Sequence, residues 1–174
     1  MILRDEILKE HSKKHALNIA SLACVSKKDF KELVDCFLSN DYRLAQIASW
    51  CLHWAVKENP EMISPYIKKV VSQLERKDVH PSVIRHTVNI LQSIDIPEEF
   101  HGEVMNACFR FIETPSTAIA IKAFSLTTLY NLSKIYPEIR SELKLIIEER
   151  WDTETAAFRG RGKRILAALN NPSL

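Results

Sequence analysis

Six histidines, four cysteines and one short arginine–glycine run are the residues of this chain with chemistry to offer. His11 and His15 are four apart and could share a helix face, a spacing at which two imidazoles can hold one zinc ion. No HExxH accompanies them, and His53, His80, His86 and His101 offer no evident third ligand. Cys24, Cys36, Cys51 and Cys108 lack the short spacing of a zinc knuckle or a redox dithiol. Each lies in an apolar helical context, where a free thiol behaves as a small buried hydrophobe. Unpaired thiols suit a reducing cytoplasm. No glycine-rich phosphate loop, nucleophile elbow or dinucleotide fingerprint occurs. The sequence therefore names no catalytic residue, no metal and no cofactor.

What remains is a pattern of basic and aromatic residues at helical spacing. Arg43, Gln46, Trp50, His53 and Lys57 follow one another at steps of 3, 4, 3 and 4, with Trp54 beside them. Ala45, Ala48, Leu52 and Ala55 share the opposite face. Similar stripes are Arg85, Asn89 and Gln92, then Thr127, Tyr130, Asn131 and Lys134, then Arg159 and Lys163 one turn apart. Such stripes attract anions by steering and by Arg or Lys pairing, and tryptophan or tyrosine can anchor an interface. The plainer alternative is a set of solvated faces, with Trp50 and Trp54 packed on neighbouring helices. The run Arg159-Gly160-Arg161-Gly162-Lys163-Arg164 could suggest nucleic-acid contact. It sits among Phe158, Ile165, Leu166 and Leu169, which reads instead as the solvated face of a terminal helix.

The elements that carry these residues are all helical. Only 3 glycines occur in 174 residues, which suits helices with tight corners better than a sheet with many turns. Periodic apolar positions predict helices over 2–10 (with Ile2, Leu3, Ile7 and Leu8), 12–25, 28–38 and 42–59, the last capped by Asp41 and stopped by Pro60. Ser64-Pro65 predicts a capped start for a helix within 61–77. Pro81 and Pro97 predict starts for 81–94 and 97–113. Helices over 117–135, 138–151 and 154–169 complete the set, and Asn170-Asn171-Pro172 ends the last one. No linker divides the chain, so one continuous domain over 1–174 is expected. The N-terminus holds no signal-peptide run and no segment is apolar enough to span a membrane, so a cytoplasmic protein is expected.

The helices repeat. Ile119–Trp151 falls on Tyr42–Leu74 when shifted by 77 positions. Ser125 then falls on Ala48, Leu129 on Leu52, Lys134 on Lys57, Pro137 on Pro60 and Ile147 on Val70. A looser copy covers Val83–Phe111. On these residues the chain resembles the HEAT-like and armadillo-like repeat families over about residues 12–170. Arg43, Ala45 and Ala48, and Lys122, Ala123 and Ser125, match the habit of a basic residue followed by small ones early in the second helix of a pair. The resemblance implies an all-α superhelix of about five antiparallel helix pairs, and no catalytic residues.

Charge is sorted between the two helix types. The second helices, over 42–57, 80–94, 116–135 and 155–169, hold nine basic residues and no Asp or Glu, while the first helices hold 13 acidic and 11 basic residues. Since each helix type lines its own side of a superhelix, the expected function is a non-enzymatic module that binds an acidic protein or peptide. Arg43, Gln46, Trp50, His53, Trp54, Lys57, Arg85, Asn89, Tyr130, Lys134, Arg159 and Lys163 would line that groove. An alternative is nucleic-acid binding, by analogy with the HEAT-like alkylpurine DNA glycosylases. Their chemistry asks for an acid among aromatics, and Asp152 is the nearest substitute here. A structural subunit of a larger assembly is the third reading.

Overall fold

The computed structural model describes residues 3–171, so Ile2 and Pro172 lie outside the described residues. These residues form ten α-helices, three short 3-10 segments and no strand. The helices are α1 (Leu3–Ile7), α2 (Lys13–Ala23), α3 (Lys27–Phe37), α4 (Tyr42–Glu58), α5 (Ile67–Val71), α6 (Pro81–Leu91), α7 (His101–Glu113), α8 (Ile119–Leu132), α9 (Ile139–Glu149) and α10 (Ala156–Asn170). The chain forms two compact units, one ending at Ile96 and one starting at Pro97.

In the first unit α4 packs against α2, α3 and α6. Contact on three sides explains why nine of its residues are buried, from Leu44 to Val56. Ala45, Ala48 and Ala55 are among them, and small residues let neighbouring backbones come close. Asp41 caps the helix, its side chain accepting from the Leu44 N–H at 3.0 Å. Ser12 and Ser26 cap α2 and α3 in the same way. Each such cap satisfies an amide that the helix cannot, for about 1 kcal/mol.

The segment after Pro60 departs from the expected single helix. Pro60–Tyr66 winds as a 3-10 helix, α5 has five residues, and Ser72–Glu75 is 3-10 again. Ser64 caps nothing: it lies inside the 3-10 stretch, and the N-cap of α5 is Tyr66, without a side-chain bond. Pro65 is the physical cause, because its ring blocks the i−4 carbonyl and it has no N–H to give. Under the 77-residue shift Pro65 falls on Glu142, and the equivalent helix α9 runs unbroken. Pro97 likewise precedes a 3-10 turn, Glu98–Phe100, before α7 begins.

In the second unit α8 packs against α7, α9 and α10. Its first residue, Ile119, is the equivalent of Tyr42 at the head of α4. Ser125 and Leu129 are fully buried, as are Ala48 and Leu52. Gly162 is buried in α10, and a Cβ there would lie 2.8 Å from the Ile147 side chain and 3.6 Å from Trp151. The glycine of the arginine–glycine run thus lets α10 close on α9. Cys36, Cys51 and Cys108 are buried free thiols, and burial pushes the last two up to about 12; Cys24 is half-buried.

Candidate functional site

The polar face of the first unit is built on α2, α4 and α6. Trp54, half-buried on α4, is flanked by two ammonium groups: Lys13 Nζ is 5.3 Å and Lys57 Nζ 5.1 Å from the ring. Each pair is a cation–π contact of about 0.5–1 kcal/mol at such exposure. Trp50, also half-buried, takes the edge of His11 at 5.6 Å. Both tryptophans therefore stand between the two readings given above, part core and part surface.

Next to Trp54, His53 stacks on His86 of α6 at 5.6 Å and 27°. Asn89 Nδ2 faces His53 Nε2 at 3.4 Å, while Gln92 Nε2 donates to Asn89 Oδ1 at 2.6 Å. The Gln92 bond fixes the amide, so Asn89 presents its donor to His53, whose Nε2 accepts. Arg85 Nη2 faces His86 Nε2 at 3.4 Å, which makes that nitrogen an acceptor and leaves the proton on Nδ1. His86 Nδ1 and Trp54 Nε1 are buried donors with no acceptor. A buried donor left unmade costs about 1–3 kcal/mol. Burial, then Lys57, lowers the pKa of His53; burial, then Arg85 and His53, lowers that of His86 to about 3. Both imidazoles are therefore neutral at pH 7, within a ring of cations.

Arg43, Lys57 and Arg85 are exposed; Gln46 and Asn89 are half-buried. Three residues of this face were not placed on it by the sequence reading: His11, Lys13 and His86. The signal for Lys13 was available, since Lys13–Ala23 also contains no Asp or Glu. His11 and His15 do not share a helix face, because α2 begins between them and His15 Nε2 meets the Glu6 carbonyl at 2.9 Å. The acid-free description of α4 also needs amending. The helix ends at Glu58, inside the expected span of 42–59 but one residue past the 42–57 window in which charge was counted, and Glu58 accepts from Ser21 Oγ at 2.9 Å.

In the second unit, half-buried Tyr130 has exposed Lys134 Nζ at 4.7 Å from its ring. The α10 side chain that reaches α8 is Arg161, whose Nη1 donates to Thr127 Oγ1 at 2.7 Å with the guanidinium 5.8 Å from Phe124. Arg159 instead donates to the Glu154 carbonyl at 2.6 Å, and Lys163 is exposed. Residues 159 and 163 lie about half a turn away from 161 on a helix. Lys122 is no part of a basic surface: it is buried and donates to Glu154 Oε1 at 2.6 Å, alongside Arg150 at 2.9 Å. Burial raises the Glu154 pKa, but hydrogen bonds from Lys122 and Arg150 outweigh it and hold the carboxyl below its usual value. Asp152 lies in an exposed turn.

Among the described residues, no cluster of three or more His, Cys, Asp or Glu is arranged to hold a metal ion, and no helix is long and apolar enough to cross a membrane. A model of the HEAT repeat domain family matches residues 3–169. The chain belongs to that family. Neither a curated protein nor a solved structure matches it. As a HEAT repeat protein it is a helical-repeat scaffold or protein-interaction module.

Proposed function

We propose that the α2–α4–α6 face of the first unit holds an acidic segment of a protein partner. The observation that carries this reading is the surplus of donors over acceptors. Lys13, Lys57 and Arg85 bring cations, and none of the three is paired with a carboxylate among the described residues. Carboxylates are acceptor-only when ionised, so an Asp- or Glu-rich chain complements such a face. Tyr130 and Lys134 give the second unit a smaller patch of the same kind. The family match runs through both units, which supports treating residues 1–174 as one repeat domain. Buried free thiols suit a cytoplasmic setting.

Protein is favoured over nucleic acid because the Trp54 ring is flanked by its own lysines and Trp50 is half-buried, so neither tryptophan is an open platform for base stacking. The test is fluorescence anisotropy with a labelled hexaglutamate peptide. The native chain should bind it and a Lys57→Glu/Arg85→Glu variant should not. Unchanged binding by the variant would remove this face from consideration. A mobility shift with random duplex DNA, and none with the peptide, would move the proposal to nucleic acid.

A further inference from the structure

We propose that an acidic segment seated on this face takes up a proton with it, and that His53 is the group that receives it. The inference rests on the reading given under Proposed function and adds its regulation.

The geometry around His53 is one-sided. Its own helix supplies Lys57 one turn away and the Trp54 ring, centroids 5.2 Å apart. α6 supplies the neutral His86 ring, the Asn89 amide donor and, beyond them, the Arg85 guanidinium. α2 supplies Lys13 across Trp54. Every formal charge in this set is positive. Glu58, at the end of α4, is held by Ser21 of α2. In the free protein a proton on His53 Nε2 would oppose the Asn89 amino group and add a cation to three others.

A carboxylate arriving at Lys57 and Arg85 reverses that balance. Burial is the larger cause that holds His53 neutral and repulsion from Lys57 the smaller; the carboxylate cancels the second and offers the acceptor that an imidazolium N–H lacks. His86 stays neutral beneath, because it is buried more deeply and Arg85 stands at its acceptor nitrogen. His53 is half-buried and lies on the stripe of exposed Arg43 and Lys57, so it is the ring a partner reaches. Protonation and anion binding therefore support one another, and linkage makes the effect reciprocal.

The sign is fixed by the direction of the change. His53 sits below its ordinary value in the free chain and rises when the anion binds. Affinity must then increase as pH falls through the interval between the two values. One linked proton gives at most about tenfold per pH unit. Glutamate carboxyls titrate near 4.3, so a peptide with its amino group acetylated takes up less than about half a proton down to pH 5.5, and that uptake would weaken binding in acid, opposite to the expected sign.

The experiment is a hexaglutamate titration of the full chain at pH 5.5, 6.5 and 7.5. It is paired with calorimetry in two buffers of different ionisation enthalpy, which counts protons taken up. The expected result is several-fold tighter binding at pH 5.5 than at 7.5, with both the proton uptake and the pH dependence of affinity lost in His53→Gln. The His53 ring resonances give a second readout that needs no variant: their titration midpoint should rise when peptide is added. Binding with no proton uptake and a fixed His53 midpoint overturns this inference and leaves the acidic-partner reading standing. No binding at any of the three pH values removes both.

Discussion

Lys122 Nζ meets Glu154 Oε1 at 2.6 Å with their side chains only 5% and 6% exposed. Arg150 holds the same oxygen through Nε and Nη2, and its Nη1 donates to the Glu113 carbonyl at 2.9 Å. This network ties the head of α8 to the end of α7 and to the corner after α9. A residue that looked like one of nine surface cations is thus part of the interior.

Removing Lys122 leaves Glu154 buried with one partner instead of two. Lys122→Met should destabilise the protein by about 3 kcal/mol, the scale for breaking a buried pair, and lower Tm by roughly 10 °C. The folded-state pKa of Glu154 lies below its unfolded value near 4.5. Its contribution is therefore complete above about pH 4.5 and is lost as pH falls through the folded value. Thermal melts of the native chain and Glu154→Gln should differ at pH 7 and converge in acid. A constant difference across pH would refute the assignment.

Gly160 and Gly162 stand two apart in one helix and should respond in opposite ways to alanine. A Cβ on Gly160 meets nothing within 4 Å, whereas one on Gly162 meets Ile147 Cγ2 at 2.8 Å, and Ile147 is fully buried. Helix propensity alone favours either change by about 1 kcal/mol. At Gly162, overpacking costs about 1–3 kcal/mol and wins. Denaturant melts should show Gly160→Ala stabilised and Gly162→Ala destabilised. The same sign for both would break the account of how α10 closes on α9.

His86 makes the fold itself sensitive to mild acid. Its folded value is about 3 against 6.5 for the ordinary residue. Below pH 6.5 the unfolded chain gains a proton that the folded chain refuses, so stability is full above pH 6.5 and falls towards pH 3. The limiting slope is about 1.4 kcal/mol per pH unit for one proton. The native chain should lose stability between pH 7 and 5, and His86→Leu should lose less. His53, lowered in the same direction, keeps a residual slope in the variant. Parallel pH curves for the two proteins would show that His86 is not the group responsible.

The sequence carried the helices well because each boundary has a local cause. Asp41 caps α4 and Pro60 stops it, and the first residues of α4 and α8 coincide under one repeat shift. Pro65 was read as an opening proline, yet it broke its helix, since which role a proline takes depends on whether the preceding turn is already helical. The site was legible only as stripes. A helical wheel gives the face of one helix and says nothing of what the next helix brings to it. Hence His53, Trp54 and Lys57 were found together, while Lys13 and His86, which complete the cluster from α2 and α6, were not. For the same reason Lys122 was counted as surface, because its partner Glu154 is 32 residues away.

Trp54 with Lys13 and Lys57 offers the sharpest separation of binding from folding. The two ammonium groups rest on one ring and neither forms an ion pair with a carboxylate among the described residues, so removing either costs the fold little, about 0.5–1 kcal/mol. Their charge is what an acidic peptide meets. Lys13→Gln and Lys57→Gln should each weaken hexaglutamate binding several-fold at 50 mM salt, with Tm lowered by no more than about 4 °C. Near 1 M salt the difference should close, because the screening length falls from roughly 10 Å at 0.1 M to about 3 Å. Lys134, the repeat equivalent of Lys57, sits over Tyr130 at 4.7 Å and provides the comparison. A Lys134→Gln change should affect binding less, since Tyr130 has one lysine at its ring where Trp54 has two. Equal losses for Lys57→Gln and Lys134→Gln would mean that general charge, and not the two-lysine arrangement at Trp54, attracts the peptide.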